Sequence, residues 1–198
     1  MNTLEYYNAN AAAFSAGTQS VDFSPVQRRF LALLPPKAKI LDFGCGAGRD
    51  TKTFLEQGCA VDAVDGSEAL CRIASQYTGI QVRQLLFQNL DAVNEYDGIW
   101  ACASVLHVPK AELPDVFRRM SRALKPGGIL YASFKYGDFE GERGGRYFTD
   151  LTEASFENLV ASFPELQTQQ LWISEDIRAD RSGQRWLNAM MKKTGGAV

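Results

Sequence analysis

From Lys39 onward the chain alternates short apolar runs with amphipathic stretches, and this alternation restricts its fold more than any other feature. KILDF (39–43), CAVDAV (59–64), residues 80–85, YDGIWACA (96–103) and ILYASFK (129–135) read as strands. Residues 50–57, 67–76 and 111–124 read as helices, the last with Leu113, Val116, Phe117, Met120 and Leu124 at helical spacing. Strands alternating with helices of this length imply parallel βαβ units and an α/β fold with a doubly wound, mostly parallel sheet.

Local signals punctuate the pattern. Ser24-Pro25 is a plausible cap and first turn for a helix over 24–34, which Pro35-Pro36 ends. A further helix is expected over 3–14. Gly58 closes the helix after the first strand, Ser67 caps the next, and Lys125–Gly128 forms a turn. After the fifth strand the pattern changes. Residues 137–146 are polar and glycine-rich and read as a loop, and 152–162 as a helix. Residues 166–174 and 185–192 fit two antiparallel strands that close the sheet edge and bring it to seven, although RWLNAMMKK suits a helix equally by propensity. With 198 residues and no repeat, one domain is expected. Residues 1–36 form a helical packing segment or lid, 37–136 a ligand-binding core, and 137–198 a substrate-side loop with the closing strands.

The first strand runs into ILDFGCGAGRD, Ile40 to Asp50, with glycines at 44, 46 and 48. In open α/β sheets, ligands bind beyond the carboxyl ends of the strands, and a glycine turn lets one approach backbone. The spacing is GxGxG rather than the GxGxxG of dinucleotide folds, and there is no GKS or GKT for a triphosphate and its metal. Asp65, 21 residues beyond Gly44, ends the second strand, where a carboxylate can accept hydrogen bonds from ribose hydroxyls. Its bland alternative is a charge favoured by a helix N-terminus. Asp42, near the buried end of the first strand, would repel a phosphate and suits an ammonium group or a loop of N–H groups. Together these features favour an adenosine ligand.

These segments, with VDAVDGSEAL, YDGIWACASVLHV and LKPGGILYASF in order from Ile40 to Phe134, resemble the class I S-adenosylmethionine-dependent methyltransferases. GCGxGRD and LHV are similar to the small tellurite-resistance-type methyltransferases. The resemblance implies a Rossmann-like fold, S-adenosyl-L-methionine as cofactor and S-adenosyl-L-homocysteine as product. It places Gly44, Cys45 and Gly46, with Gly48, against the methionine portion and ribose, and lets Asp42 orient the loop or the amino group. Arg49 reaches the carboxylate, Asp65 holds the ribose hydroxyls, and Gly66 and Ser67 lie beside the adenosine. Leu86 and Phe87 flank the adenine, where relatives often carry an acid and this chain offers Gln88 or backbone. Ala103 and Ser104 face the sulfonium.

Methyl transfer from a sulfonium is a direct displacement, so the protein mainly aligns the reactants. His107, the one histidine, is the candidate general base; its alternative is a histidine that bonds backbone and shapes the pocket wall. Cys45 and Cys102 read as small buried hydrophobes rather than nucleophiles. Tyr6, Tyr7 and Phe14 belong to a lid or a packed helix. The substrate pocket is expected beside 134–148, with Tyr7, Lys135, Glu142, Arg143, Arg146 and Tyr147 on its side. Asp176, Arg178, Asp180 and Arg181 either join it or pair in solvent. A net charge of -2 and the absence of a basic run argue against a nucleic-acid partner, and the mixed charge near the pocket suggests a small-molecule acceptor. No apolar run approaches the length of a membrane helix, and no signal segment is visible, so no membrane association and a cytoplasmic location are expected. One histidine and no CxxC leave little for a zinc site, and no metal is expected. The alternatives in this fold class are a non-catalytic adenosyl-ligand-binding protein and a nicotinamide-dependent oxidoreductase, for which no YxxxK is present.

Overall fold

The structure is a computed structural model that describes residues 2–178, 181 and 183–195. Two helices lead, α1 (Thr3–Thr18) and α2 (Ser24–Leu31). Then follow β1 (Lys39–Phe43), α3 (Arg49–Glu56), β2 (Ala60–Asp65), α4 (Glu68–Thr78), the two-residue β3 (Arg83–Gln84), β4 (Tyr96–Ala101), α5 (Leu113–Ala123) and β5 (Leu124–Lys135). The chain continues through β6 (Glu140–Arg143), β7 (Arg146–Thr149), α6 (Glu153–Val160), β8 (Leu166–Glu175) and β9 (Arg185–Lys193). Seven strands form one sheet in the order β3-β2-β1-β4-β5-β9-β8, with β9 antiparallel to both its neighbours.

Strand alternation builds two cores on the two faces of this sheet. Leu41, Phe43, Ile99, Ala101, Leu130, Ala132 and Phe134 point to one face, against Phe117 and Met120 of α5 and Phe156 of α6. Ile40, Trp100, Ile129 and Tyr131 point to the other, against Phe30 of α2 and Phe54 of α3. Trp100 and Tyr131 stack with centroids 4.1 Å apart, and Trp100 also packs on Phe30 and Phe54.

The doubly wound sheet and the closing antiparallel pair are as the sequence implies, and the structure departs from that reading at the hairpin, the Lys125–Gly128 turn and the α2 cap. First, the segment read as a polar loop is the hairpin β6–β7. Gly144 and Gly145 form its two-residue turn with φ of +59° and +77°, the two positive angles that a type I′ turn demands. Second, the Lys125–Gly128 turn is absorbed into β5 as an irregularity, where the register with β4 shifts between Tyr96 and Gly98. RWLNAMMKK is the strand β9, as the paired-strand reading expects. Its residues Leu187–Met191 are all buried between β5 and β8, and a segment covered on both faces loses the alternation that distinguishes strand from helix. At the cap of α2, Phe23 precedes the helix and Ser24 is its first residue, its N–H donating to Asp22 Oδ1 at 2.9 Å. Asp180 lies outside the described residues.

Candidate functional site

The chain passes from β1 to β2 on one side and later enters β4 on the other, so β1 and β4 flank the point where the strand order reverses. A cavity of about 1140 Å³ opens there, at the carboxyl ends of the strands. Single-ligand pockets run to roughly 300–1,000 Å³, so this one has room for an adenosyl ligand and a second small molecule.

The floor is the glycine turn. Gly44, Gly46 and Gly48 have φ of +86°, +56° and +87°, angles that only glycine adopts without strain. The N–H groups of Gly44 and Cys45 both donate to Val64 O at 2.9 Å, which pins the turn to β2. Across the switch point Ser104 Oγ donates to Phe43 O at 2.7 Å. Ala103 beside it holds φ of +50°, a strained angle for a residue with a Cβ, kept in place by a 2.8 Å bond from its N–H to Ser133 Oγ.

Asp65 lines the cavity at the end of β2. One carboxylate oxygen accepts the Gly46 N–H at 2.9 Å and the other the Ser67 N–H at 2.8 Å, which fixes the group and leaves each oxygen further lone pairs for a ligand hydroxyl. Burial raises its pKa against the pull of these donors. Gly66, Leu86, Phe87 and Gln88 continue the wall. The Gln88 amide donates to Glu112 Oε2 at 2.9 Å, so its carbonyl oxygen is the end left to accept.

Three residues expected at the ligand lie behind the wall. Asp42 is buried beneath the turn, accepts from Thr51 Oγ1 at 2.5 Å, and has its pKa raised to about 8 by burial and by the neighbouring Asp50; it supports the loop from below. Gly48 precedes α3 and packs on α4, where a Cβ would come within 2.7 Å of Thr78 Cγ2. Ser67 caps α4, accepting from the Leu70 N–H at 3.2 Å. Arg49 does line the cavity, but its guanidinium is held by both oxygens of Asp50 at 2.8 Å and lies 4.7 Å over the Phe23 ring. Asp50 also accepts from Gln27 at 2.6 Å and from the Trp100 indole at 2.8 Å. Sequence reasoning misses this buried hub, because its partners come from α2, α3 and β4 and share no local motif.

The roof is α1. Leu4 lies against Gly66 and Phe14 against Gly46. Asn8 Oδ1 accepts from Ser67 Oγ at 2.7 Å and from the Ala69 N–H at 3.2 Å. The Tyr147 N–H donates to Thr3 Oγ1 at 2.9 Å. Tyr7 meets His107 Nε2 at 2.9 Å, and His107 Nδ1 lies 2.6 Å from Tyr147 O. A carbonyl only accepts, so Nδ1 carries the proton and Nε2 accepts from the Tyr7 hydroxyl. Burial and the nearby Arg146 charge lower the His107 pKa to about 4, so the ring is neutral at pH 7.

The far wall is the hairpin and the β9 edge. Side chains alternate across β6 and β7, so Arg143, Arg146 and Phe148 face the cavity while Glu142 and Tyr147 face away. Tyr147 bonds Glu140 through its hydroxyl at 2.9 Å, and what it offers the site is its backbone carbonyl. Arg143 forks onto the buried Asp150 at 3.0 and 3.1 Å. Lys135 lies over Trp186 at 4.0 Å and 3.6 Å from Asp176, which also takes a 2.7 Å bond from Arg178. Burial lowers the Lys135 pKa to about 8, against the pull of Asp176. Asp176 and Arg178 thus both line the cavity and pair with each other; Arg181 lines it too. Cys45 and Cys102 stand on the wall with thiols raised by burial, Cys102 to about 12, which makes them poor nucleophiles.

Residues 40–128 match the family model described as a methyltransferase domain. The chain is 31% identical over 118 residues to the Bacillus subtilis protein named "Putative methyltransferase YqeM", covering 54% of this chain and 48% of that one. It is 30% identical over 119 residues to the ubiquinone biosynthesis O-methyltransferase of Xanthomonas axonopodis pv. citri, covering 56% and 49%. It therefore spans about half the length of the curated relatives it matches. Among solved structures, the 1,6-didemethyltoxoflavin-N1-methyltransferase of Burkholderia thailandensis, bound to 1,6-didemethyltoxoflavin and S-adenosylhomocysteine, superposes with a TM-score of 0.76 at 23% identity, covering 96% of this chain and 86% of that one. The glycine turn and Asp65 at the floor of the switch-point cavity thus lie within residues 40–128, the stretch that matches a methyltransferase domain.

Proposed function

We propose that the protein transfers a methyl group from S-adenosyl-L-methionine to a small-molecule acceptor by direct displacement. The observation that carries this reading is the continuity of the cavity. It begins at the glycine turn and Asp65 and runs on beneath α1 to a second compartment walled by Tyr7, His107, Arg146 and Phe148. The first part suits an adenosyl ligand: backbone of the turn beside the methionine portion, Asp65 on the ribose, and Leu86 and Phe87 about the adenine with the Gln88 carbonyl at its edge. The bound cofactor supplies a methyl group already activated on sulfur. Two relatives are named for oxygen and nitrogen methylation of small molecules, which supports an acceptor of that class here.

The protein's own part is alignment and exclusion of water, worth up to roughly 7–11 kcal/mol of the barrier. The roof formed by α1 shields the reacting centre. Both nitrogens of His107 are engaged, and with a pKa of about 4 it takes up a proton poorly at neutral pH. We therefore read it as a positioning residue that draws the Tyr7 proton toward itself and turns the hydroxyl lone pairs to the acceptor. Among the described residues no helix is long and apolar enough to cross a membrane, and the four cysteines are free thiols. Free thiols accord with the reducing cytoplasm, where we place the protein.

Calorimetric titration with S-adenosylmethionine, S-adenosylhomocysteine and NADH, on wild type and on Asp65→Ala, tests the reading. Binding of both adenosyl ligands, weakened in the variant and absent for NADH, supports it. Binding of NADH alone would refute it in favour of an oxidoreductase. Adenosyl binding without turnover across a broad acceptor panel would favour a binding protein.

A further inference from the structure

Four cations on the cavity wall are paired with carboxylates. Arg49 has Asp50, Arg143 has Asp150, and Lys135 and Arg178 share Asp176. Arg146 differs. Its guanidinium lies 4.7 Å from the Tyr6 ring, 5.7 Å from Tyr7 and 5.1 Å from Phe148, and its one polar contact is a long 3.4 Å approach to the Tyr7 hydroxyl. Among the described residues it forms no ion pair, and its Nε is buried without a hydrogen-bond partner. Ring faces attract a cation but take the N–H bonds of a guanidinium only weakly, so the donors at the cavity surface remain available to a stronger acceptor.

Building on the methyltransferase reading, we propose that Arg146 anchors an oxyanion, a carboxylate or a phosphate monoester, on the methyl acceptor. A guanidinium presents paired N–H groups that match such an anion, and the surrounding rings strip it of water, which strengthens the pairing. The anchor stands within the Tyr7–His107 compartment and makes none of its contacts with the glycine turn. The acceptor is therefore a small acid whose charged end rests on Arg146 and whose nucleophilic atom points back to the Tyr7 hydroxyl and the end of β4.

His107 provides the probe. It is the only histidine in the chain, and its ring shares the Tyr7 hydroxyl with Arg146. Imidazole NMR signals would be followed with benzoate, phenyl phosphate and uncharged benzamide, with and without S-adenosylhomocysteine, on wild type, Arg146→Gln and Arg146→Lys. The expected result is a saturable shift with at least one anion and a response to benzamide about tenfold weaker or less. Arg146→Gln loses that preference, on the scale of a charge-assisted hydrogen bond, and Arg146→Lys recovers part of it. The stronger of the two anions separates a carboxylate site from a phosphate site. Equal binding of benzoate and benzamide, or an unchanged preference in Arg146→Gln, overturns the proposal. So does a parallel fall in S-adenosylhomocysteine affinity in that variant, which would give the guanidinium to the cofactor's own carboxylate. Failure of wild type to bind S-adenosylhomocysteine while it still discriminates the anions would count against the methyltransferase reading and leave the anchor standing.

Discussion

Two glycines with nearly the same backbone angle separate conformational strain from close packing. Gly58 has φ of +79° and open space where a Cβ would go. Gly44 has φ of +86°, and a Cβ there would lie 2.4 Å from Ser104 Cβ and 3.2 Å from the Phe87 ring. Gly58→Ala bears only the left-handed strain of an L-residue, about 1–2 kcal/mol. For a chain of 198 residues that is a fall in Tm of about 2–8 °C. Gly44→Ala carries the same strain plus overpacking. Carbon atoms sit comfortably at about 3.5–4.0 Å, so the turn and the end of β4 must part by more than about 1 Å. Ser104 is buried and tied to Phe43 O, so it does not swing aside, and overpacking adds about 1–3 kcal/mol. The sum, about 2–5 kcal/mol, corresponds to about 4–20 °C. Because the displaced backbone is the cavity floor, S-adenosylhomocysteine affinity falls by about 10–100-fold in Gly44→Ala, the scale of a 1 Å misplacement, and stays near wild type in Gly58→Ala. Differential scanning fluorimetry and calorimetric titration read both quantities. A Gly44→Ala protein that melts with Gly58→Ala and binds as wild type would refute the reasoning, since the turn would then not be pressed between β2 and β4.

Three further outcomes follow from the same geometry. Asp50→Ala strands the Arg49 guanidinium, the Gln27 amide and the Trp100 indole at once, and chemical denaturation should show a loss of about 3–5 kcal/mol. His107 titrates near 4 in the folded chain and about 6.5 unfolded, so its favourable contribution is complete above about 6.5 and declines toward pH 4 at up to about 1.4 kcal/mol per unit. Asp42, raised to about 8, changes stability in the opposite sense over that range. The quantity to measure is therefore the difference between wild type and His107→Gln, which should shrink as the pH falls from 6.5 to 4; a flat difference would show that the ring is not buried as described. Tyr7→Phe removes the hydroxyl between His107 and Arg146. It should lower kcat about 10–100-fold with adenosyl affinity nearly unchanged, and an equal loss in both would make Tyr7 a cofactor contact instead.

The glycine-turn side of the cavity is legible in the sequence because its residues are local. The turn from Phe43 to Gly48 and the strand end at Asp65 each combine a backbone requirement with a chemical one, and a single segment displays both. The hairpin side depends on strand alternation within a segment whose sequence reads as a loop. Gly144-Gly145 is a strong turn signal, yet its flanks GDFEGER and RYF lack the apolar alternation that marks a strand. Without the hairpin, Glu142 and Tyr147 could not be separated from Arg143 and Arg146, although the pleat sends the two pairs to opposite sides. The ambiguity of β9 has a different origin. Complete burial removes the very contrast that periodicity measures.

The roof over the cavity has a consequence for how the protein is made and handled. Thr3 meets Tyr147 across 144 positions, Tyr7 meets Arg146 across 139, and Tyr7 meets His107 across 100. Helix α1 seats on α4 through Asn8, but its contacts with the hairpin wait until that hairpin has formed. Contacts this distant in sequence are entropically costly to close and form late. The sheet can therefore assemble before the hairpin side of the cavity closes, and a refolding chain would regain its circular dichroism ahead of its full ligand affinity.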